Sequence, residues 1–371
     1  MYEKYEKVFD YYFFLCFKSN ILYKKTMQRT EISSLGEFGL IKKLTEHTIL
    51  YHTQTLKGVG DDAAVLDCGE FCLLSSTDML VEGVHFDLTY TPLKHLGYKA
   101  IAVNVSDIAA MYGEPRQVLI SLAVSNRFSV EALQEIYEGV KIACQNYKVD
   151  LVGGDTTASR SGLVISVTVL GVAQKNKIVY RNTAQKGDIL CVTGDLGGAY
   201  AGLQVLEREK QVFLANPEMQ PQLESKDYVV RRQLRPEARM DIIHELKDLG
   251  IVPTAMIDIS DGLASEIYHI CTQSNLGAMI YEDKLPIAQE TYDTAINDLN
   301  ISPVTCALNG GEDYELLFSI KQTDYEKIKN HPDISTIGYL TEPEKNINLV
   351  LRAGNLVAIQ AQGWQHFTAK K

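Results

Sequence analysis

Short apolar runs of β-strand character alternate with amphipathic helical patterns along most of the chain, and this alternation restricts the fold most. Strand-like runs include residues 71–78 and 162–173, and helical spacing marks residues 92–113 and 129–147. Such alternation favours an α/β or α+β architecture over an all-helical or all-strand one. The second half repeats the order of strand, Gly turn and helix from residue 188 onward. We therefore predict a two-domain α/β protein.

The domain limits follow from a polar connection over residues 175–187 that lacks strong periodicity. At 371 residues the chain is long enough for two domains. We predict an N-terminal domain over residues 27–174 and a C-terminal domain over 175–371. Residues 1–26 are interpreted as an extension, either disordered or the product of a mis-called start, and residues 209–230 as a surface excursion.

Composition excludes several classes of function. The net charge of −11 argues against a nucleic-acid partner, and no segment approaches the length of a membrane span. Seven cysteines without paired spacing argue against a zinc site and fit a reducing compartment. We predict a cytoplasmic protein that binds neither nucleic acid nor membranes.

Aspartates beside Gly, Ser or Thr follow apolar runs in several segments. Singly, each has a structural explanation: the Asp61–Asp62 pair can end a turn, and Asp155 can cap a helix after a Gly turn. Together they indicate a cation site, since side chains at the carboxyl ends of strands converge on one side of an α/β sheet and clustered carboxylates repel one another. Oxygen ligands without His or Cys pairs suit Mg²⁺, which bridges substrate phosphates.

Common nucleotide-binding signatures are absent from the sequence. It contains neither a Walker A motif nor the protein-kinase set, and GVGDD does not match the dinucleotide fingerprint. A nucleotide-dependent enzyme with this sequence would therefore belong to another lineage.

A series of motifs between residues 33 and 367 identifies that lineage. In chain order they are GVGDDAAVL, STDMLVEGVHF, YKAIAVNVSDIAAM, LVGGDTT, ISVTVLGVA, RNTAQKGDILCVTGDLGGAYAGL, MIDISDGLASE, LNGGEDYELLF and GYLTE. The ordered set resembles the thiamine-monophosphate kinase family, in the superfamily of aminoimidazole ribonucleotide synthetase, selenophosphate synthetase and the hydrogenase-maturation dehydratase. The leader has no counterpart in the family, and the 209–230 excursion does not align with it unambiguously.

The resemblance implies a transferase, a kinase that phosphorylates thiamine phosphate to thiamine diphosphate in the final step of its biosynthesis. ATP would be the co-substrate, several Mg²⁺ ions would assist, and the phosphoryl group would pass directly and in line. The implied fold is the two-domain aminoimidazole ribonucleotide synthetase-like fold. N-terminal sheets of two subunits would pair into a barrel-like homodimer core, with the N-terminal domain binding ATP and Mg²⁺ and the C-terminal domain completing the site.

The resemblance also implies roles for individual residues. The metal ligands would be Asp62, Ser76, Thr77, Asp78, Asp107, Asp155, Asp258 and Asp261. The ATP contacts would be Gly154, Asp155, Arg181 and Ser260. Thiamine phosphate would meet His85, Glu312 and Trp364, and the catalytic residues would be Asp107, Asp62 and Asp258. Asp61 receives no role beyond orienting the turn or an outer water.

Simpler explanations compete for three of these residues. Arg181 can be a surface charge rather than a bidentate phosphate ligand. His85 can be a packed or capping histidine. Trp364 can be a core anchor rather than a platform that stacks on a thiazolium or pyrimidine ring.

Two other functions compete for the whole chain. One is a sister enzyme, either selenophosphate synthetase-like or aminoimidazole ribonucleotide synthetase-like. The selenophosphate and hydrogenase-maturation enzymes usually carry a reactive cysteine. Both fit this sequence poorly, because it ends in WQHFTAKK and Cys16 lies in the leader. The other is a non-catalytic metal- or nucleotide-binding module, which would require an incomplete acidic set.

Overall fold

Two β-sheets organise the computed structural model, which describes residues 30–361. Residues 49–361 lie in one compact unit, and residues 30–48, with the helix α1 (Gly36–Thr45), belong to a separate unit. The predicted extension over residues 1–26 and the predicted substrate contact Trp364 lie outside the described residues. No helix among residues 30–361 has both the length and the apolar character needed to cross a membrane.

The first sheet has six strands in the order β1-β2-β3-β6-β4-β5. They are β1 (Thr55–Lys57), β2 (Ala64–Asp67), β3 (Cys72–Val81), β4 (Glu114–Val124), β5 (Asp150–Ala158) and β6 (Val164–Ala173). Only β4 and β5 run parallel, and the other neighbours are antiparallel. All nine residues of the edge strand β5 are exposed.

The second sheet has seven strands in the order β13-β12-β9-β11-β7-β10-β8. They are β7 (Ile189–Thr193), β8 (Ala255–Asp258), β9 (Gly277–Tyr281), β10 (Leu316–Ile320), β11 (Ile334–Thr341), β12 (Ile347–Val350) and β13 (Leu356–Ala358). Here β9 and β12 form the parallel pair. The domain limits at 174 and 175 stay a prediction; the first sheet ends at Ala173 and the second begins at Ile189.

Nine further α-helices surround the two sheets within the described range. They are α2 (Leu93–Ala110), α3 (Val130–Tyr147), α4 (Gly198–Ala215), α5 (Asp227–Leu234), α6 (Met240–Asp248), α7 (Leu263–Ser274), α8 (Gln289–Asp293), α9 (Pro303–Asn309) and α10 (Tyr325–Ile328). Ser129 caps α3 as an N-cap should, its hydroxyl accepting the amide of Ala132. A π-helical turn, Thr294–Leu299, follows α8, and four 3₁₀ turns complete the set.

Helix α2 is the central element. It contacts β3 and β6 of the first sheet and β8 of the second, and nearly all of its residues are buried. Its approach to α3 requires glycine on both helices: a Cβ on Gly97 would lie 1.9 Å from the Ile136 carbonyl oxygen, and one on Gly139 would lie 1.9 Å from the Lys94 carbonyl oxygen. This close packing fixes the position of α2 and therefore the positions of its polar side chains.

Three sequence-based expectations need correction. The sheets are largely antiparallel, and Asp62 precedes a strand while Asp107 lies in a helix, so the aspartates do not converge at the carboxyl ends of the strands of one sheet. The 209–230 excursion is shorter than predicted, because α4 continues to Ala215 and α5 begins at Asp227. The Gly153–Gly154 pair lies within strand β5 rather than in a turn before a helix.

Candidate active site

Three carboxylates from distant parts of the chain meet between the two sheets. Asp62, Asp107 and Asp258 each place one oxygen within 4.8 Å of the other two. Asp62 lies in the turn before β2, Asp107 near the end of α2, and Asp258 at the end of β8. Asp62 and Asp258 are buried and Asp107 is partly buried. We call these three residues the aspartate cluster.

Two hydroxyl side chains orient carboxylates of the cluster, and an amide side chain holds the backbone beside it. Ser76 Oγ donates to Asp107 Oδ2 at 2.5 Å, and Ser106 Oγ donates to Asp258 Oδ2 at 2.7 Å. The Asp78 amide donates to Asn104 Oδ1 at 3.1 Å. Neither Ser106 nor Asn104 was among the predicted site residues. Their presence in the apolar pattern of α2 was the available signal, since a buried polar group needs a partner.

Burial and mutual repulsion govern the charge of these groups. Burial, followed by the charge of Asp62, raises the pKa of Asp258 to about 8. Burial, followed by the charges of Asp78 and Asp258, raises the pKa of Asp107 well above its ordinary value. The pKa of Asp78 is raised by burial and by Asp62. The cluster therefore favours either bound protons or a cation, and its all-oxygen donor set fits a hard divalent ion such as Mg²⁺.

Arg181 pairs with the cluster directly. Its Nε donates to Asp62 Oδ2 at 3.0 Å and its Nη2 donates to Asp62 Oδ1, a bidentate arrangement. Only 16% of the Arg181 side chain is exposed, so the alternative of a surface charge is wrong. The charge of Asp62 helps to raise the pKa of this guanidinium.

Asp61 and Asp62 have different surroundings. Asp61 accepts the Arg181 amide at 3.3 Å and lies 3.4 Å from Lys57 Nζ. This second oxygen, Oδ2, is buried, and among residues 30–361 it pairs with the Lys57 ammonium group without accepting a hydrogen bond. Burial and the neighbouring Asp62 raise the pKa of Asp61 to about 6. The structure thus separates the two, because only Asp62 contributes an oxygen to the aspartate cluster.

Two predicted metal ligands lie away from the cluster. Thr77 alternates with Ser76 and Asp78 on β3, and its Oγ1 donates to the Val167 carbonyl at 3.0 Å on the other face. Asp155 is on β5, which is separated from β3 by β6 and β4, or about 14 Å at ordinary strand spacing. Within one chain, Asp155 and Asp78 therefore cannot share an ion.

Close packing against the neighbouring strand explains why residue 154 of β5 is a glycine. A Cβ there would lie 1.8 Å from the Ile120 carbonyl oxygen, and its φ of +154° also disfavours a side chain. The adjacent strand β4 thus approaches the backbone where the predicted ATP contact lies.

The turn after β8 brings further predicted residues together. It contains Ser260 and Asp261, and the Asp261 amide donates to Glu266 Oε1 at 2.9 Å. The Glu312 amide donates to the Ser260 carbonyl at 2.7 Å, so the loop that bears Glu312 is fastened to this turn. Glu266 was missed by the sequence analysis; burial and Asp261 raise its pKa well above the ordinary value.

One ring nitrogen of His85 accepts a hydrogen bond from the backbone of its own turn. Its Nδ1 accepts the Val81 amide at 3.0 Å, as in the capping alternative. In a neutral imidazole this makes Nε2 the protonated nitrogen, which is a hydrogen-bond donor of the kind the predicted substrate contact would use. The two explanations are therefore compatible.

Comparisons with known proteins relate the sequence to one family of enzymes. The family described as AIR synthase related protein, N-terminal domain, matches residues 60–173. The thiamine-monophosphate kinase of Bacillus subtilis (strain 168) is 35% identical over 90% of this chain and 100% of its own length. That of Aquifex aeolicus (strain VF5) is 35% identical over 91% of this chain and 99% of its own.

Solved structures extend the likeness to the fold. AaThiL complexed with AMPPCP and TMP superposes with a TM-score of 0.76 at 34% identity, covering 92% of this chain and 100% of that one. The predicted two-domain α/β fold of the aminoimidazole ribonucleotide synthetase-like type is confirmed.

The raised pKa of Asp258 predicts how stability depends on pH without divalent ions. The native state keeps a proton that the unfolded chain releases above its ordinary pKa of 3.8, so stability falls as pH rises from about 4 toward about 8. Asp258→Asn removes this penalty. Its melting temperature should therefore exceed that of the native sequence by more at pH 8 than at pH 5, as measured by calorimetry in chelator.

The exposed residue Asp248 offers a matched control. Asp248→Asn should change the melting temperature equally at the two pH values. Equal shifts for Asp258→Asn at both values would contradict the raised pKa.

Proposed function

The chain belongs to the thiamine-monophosphate kinase family, and we propose that it transfers the γ-phosphoryl group of ATP to thiamine phosphate. The aspartate cluster carries the proposal, because buried oxygen ligands beside a bidentate-capable Arg181 suit a phosphoryl-transfer site. Support comes from the AaThiL structure, whose AMPPCP ligand is a methylene analogue of ATP. The product is thiamine diphosphate.

We propose Mg²⁺ as the metal, held by Asp62, Asp107 and Asp258, with Asp78 beside them. Bound there, the ion would supply positive charge to neutralise the phosphate oxygens. Ser76 and Ser106 keep two of these carboxylates oriented. The remaining predicted ligands, Ser76, Thr77, Asp155 and Asp261, stay predictions.

The reaction requires positioning more than covalent catalysis. The acceptor is an ionised phosphate oxygen of thiamine phosphate, so no strong general base is needed. This oxygen forms a bond to the γ-phosphorus while the bond from that phosphorus to the β,γ-bridging oxygen breaks, and ADP leaves. Arg181, Gly154, Asp155 and Ser260 would place the nucleotide, and His85, Glu312 and Trp364 the acceptor.

A homodimer is the proposed assembly, and the edge strand β5 supports it. Its row of exposed residues includes Leu151 and Val152, 40% and 55% exposed, beside unpaired backbone groups. Pairing of two first sheets at this edge would bury the apolar side chains in a barrel-like core. It would also place Asp155, which lies apart from the aspartate cluster in one chain, inside an assembled interface.

We also propose a cytoplasmic location. The six cysteines in the described range are all free thiols, four of them buried, as expected of a protein kept under reducing conditions.

A product assay tests the proposed reaction. ATP, Mg²⁺ and thiamine phosphate should give thiamine diphosphate, whereas free thiamine, selenide or an aminoimidazole precursor in place of thiamine phosphate should give no product. Asp107→Asn should lower turnover at least a hundredfold with a smaller effect on nucleotide affinity, because Asp107 belongs to the cluster that faces the transferring group. Product from another acceptor only would overturn the assignment, as would unchanged turnover at saturating Mg²⁺.

Because Arg181 pairs with Asp62, removing its charge should change the affinities for Mg²⁺ and for ATP in opposite directions. A guanidinium and a divalent cation compete for the Asp62 carboxylate, so Arg181→Met should raise the Mg²⁺ affinity of the nucleotide-free protein severalfold. The same change should weaken ATP binding about tenfold, since a charge-assisted contact to phosphate is lost. Titration calorimetry measures both affinities.

Lys57→Met is the matched control, because Lys57 contacts Asp61 and not Asp62. It should leave ATP affinity unchanged. A loss of both affinities in Arg181→Met would show that Arg181 supports the site structurally rather than competing for it.

The exposed face of β5 predicts the effect of a charge on assembly. Val152→Lys places an ammonium group in the proposed interface and should convert a dimer to a monomer in sedimentation velocity. Leu214→Lys on α4, where the native side chain is 61% exposed, should leave the dimer intact. A monomeric native protein, or a dimeric Val152→Lys variant, would contradict pairing at this edge.

A further inference from the structure

The carboxylate of Glu312 is held by side chains from two different helices. Lys99 Nζ, from α2, lies 2.8 Å from Glu312 Oε1. Gln233 Nε2, from α5, donates to Glu312 Oε2. Each carboxylate oxygen thus has one fixed donor, and the plane of the group is determined.

Lys99 is an unusual residue to find in the interior. It is 2% exposed, although lysine is almost never fully buried unless it is paired. Its ammonium group also donates to the Gln233 carbonyl at 3.3 Å. Burying this charge is costly without such partners, so the position of Lys99 depends on Glu312 and on the backbone of α5.

The backbone of Glu312 is equally constrained. Its φ is +67° and that of Tyr314 is +52°, in the left-handed region that non-glycine residues seldom occupy. The Glu312 amide donates to the Ser260 carbonyl at 2.7 Å, and the Tyr314 amide donates to the Ile259 carbonyl at 2.9 Å. Backbone strain of this kind persists where surrounding contacts enforce it, often at a ligand site.

One side of the Glu312 carboxylate remains accessible. The side chain is 24% exposed, and each oxygen has a further acceptor site beyond the donor it already has. A group that meets it must be a hydrogen-bond donor or a cation, because an anion would be repelled. An amino group or the thiazolium of thiamine phosphate meets this requirement, and its phosphate does not.

We propose that Lys99 is a positioning residue that, together with Gln233, aims the Glu312 carboxylate at the donor or cationic part of thiamine phosphate. The inference rests on the proposed function, in which Glu312 contacts this substrate. Lys99 and Asp107 lie two turns apart on α2, about 12 Å along its axis. The same helix therefore sets the distance between the aspartate cluster and the group that orients the acceptor.

Steady-state kinetics of the full-length enzyme test the proposal. Lys99→Met should raise KM for thiamine phosphate about tenfold, because the carboxylate loses a charge-assisted hydrogen bond. The KM for ATP should stay within about twofold and kcat should change less than KM. Lys99→Arg should recover part of the loss, and Gln233→Met, which removes the second donor, should raise the same KM.

A double-mutant cycle shows whether Lys99 acts through Glu312. In a Glu312→Gln background, Lys99→Met should add little to KM for thiamine phosphate, because the carboxylate that it orients is gone. Fully additive effects would overturn the proposal. Lys94→Met, on the exposed side of the same helix, is the control and should leave both KM values unchanged.

Different results would contradict the substrate contact of Glu312 and the positioning role of Lys99. If Glu312→Gln leaves KM for thiamine phosphate unchanged, the proposed substrate contact of Glu312 is wrong, and with it the inference. If Glu312→Gln raises this KM but neither Lys99→Met nor Gln233→Met does, the contact stands and the positioning role is wrong. Melting temperatures of all variants identify any that are unfolded, and Gln233→Met tests the same positioning should Lys99→Met not fold.

Discussion

Burying Asp62, Asp107 and Asp258 within 4.8 Å of one another places like charges where water screens them poorly. The surrounding structure compensates in several ways: Arg181 pairs with Asp62, and Ser76 and Ser106 donate to the other two carboxylates. Burial and the neighbouring carboxylates nevertheless raise the pKa of Asp107 and of Asp258, so a further cation would favour their ionised forms. An arrangement that is unfavourable for stability is thereby suited to the proposed cation.

Helix α2 connects this electrostatic constraint to the fold. It lies between the two sheets, and its packing on α3 depends on Gly97 and Gly139. Near its end it supplies Asp107 to the cluster and Ser106 as a hydrogen-bond donor to Asp258, and two turns earlier it supplies Lys99 to Glu312. A single rigid element therefore carries parts of both the proposed metal site and the proposed acceptor site.

Much of the local structure could be predicted from periodicity. The patterns over residues 92–113 and 129–147 correspond to α2 and α3, and the cap at Ser129 is present. Strand direction could not be predicted, because an apolar run shows burial but not which neighbour it pairs with. Convergence at the carboxyl ends of strands on one side of an α/β sheet was therefore the wrong reason for the cluster, although Asp62, Asp107 and Asp258 do meet.

The sequence by itself determined the family, the two-domain α/β class and the set of candidate residues, because ordered motifs and local periodicity are properties of the chain. Only the tertiary structure decided which candidates share a site. It brought Asp62, Asp107 and Asp258 together, separated Asp61 from Asp62, placed Asp155 on a distant edge strand, and paired the buried Lys99 with Glu312. These outcomes depend on contacts between residues far apart in the chain, and no local pattern specifies the distance between two such side chains.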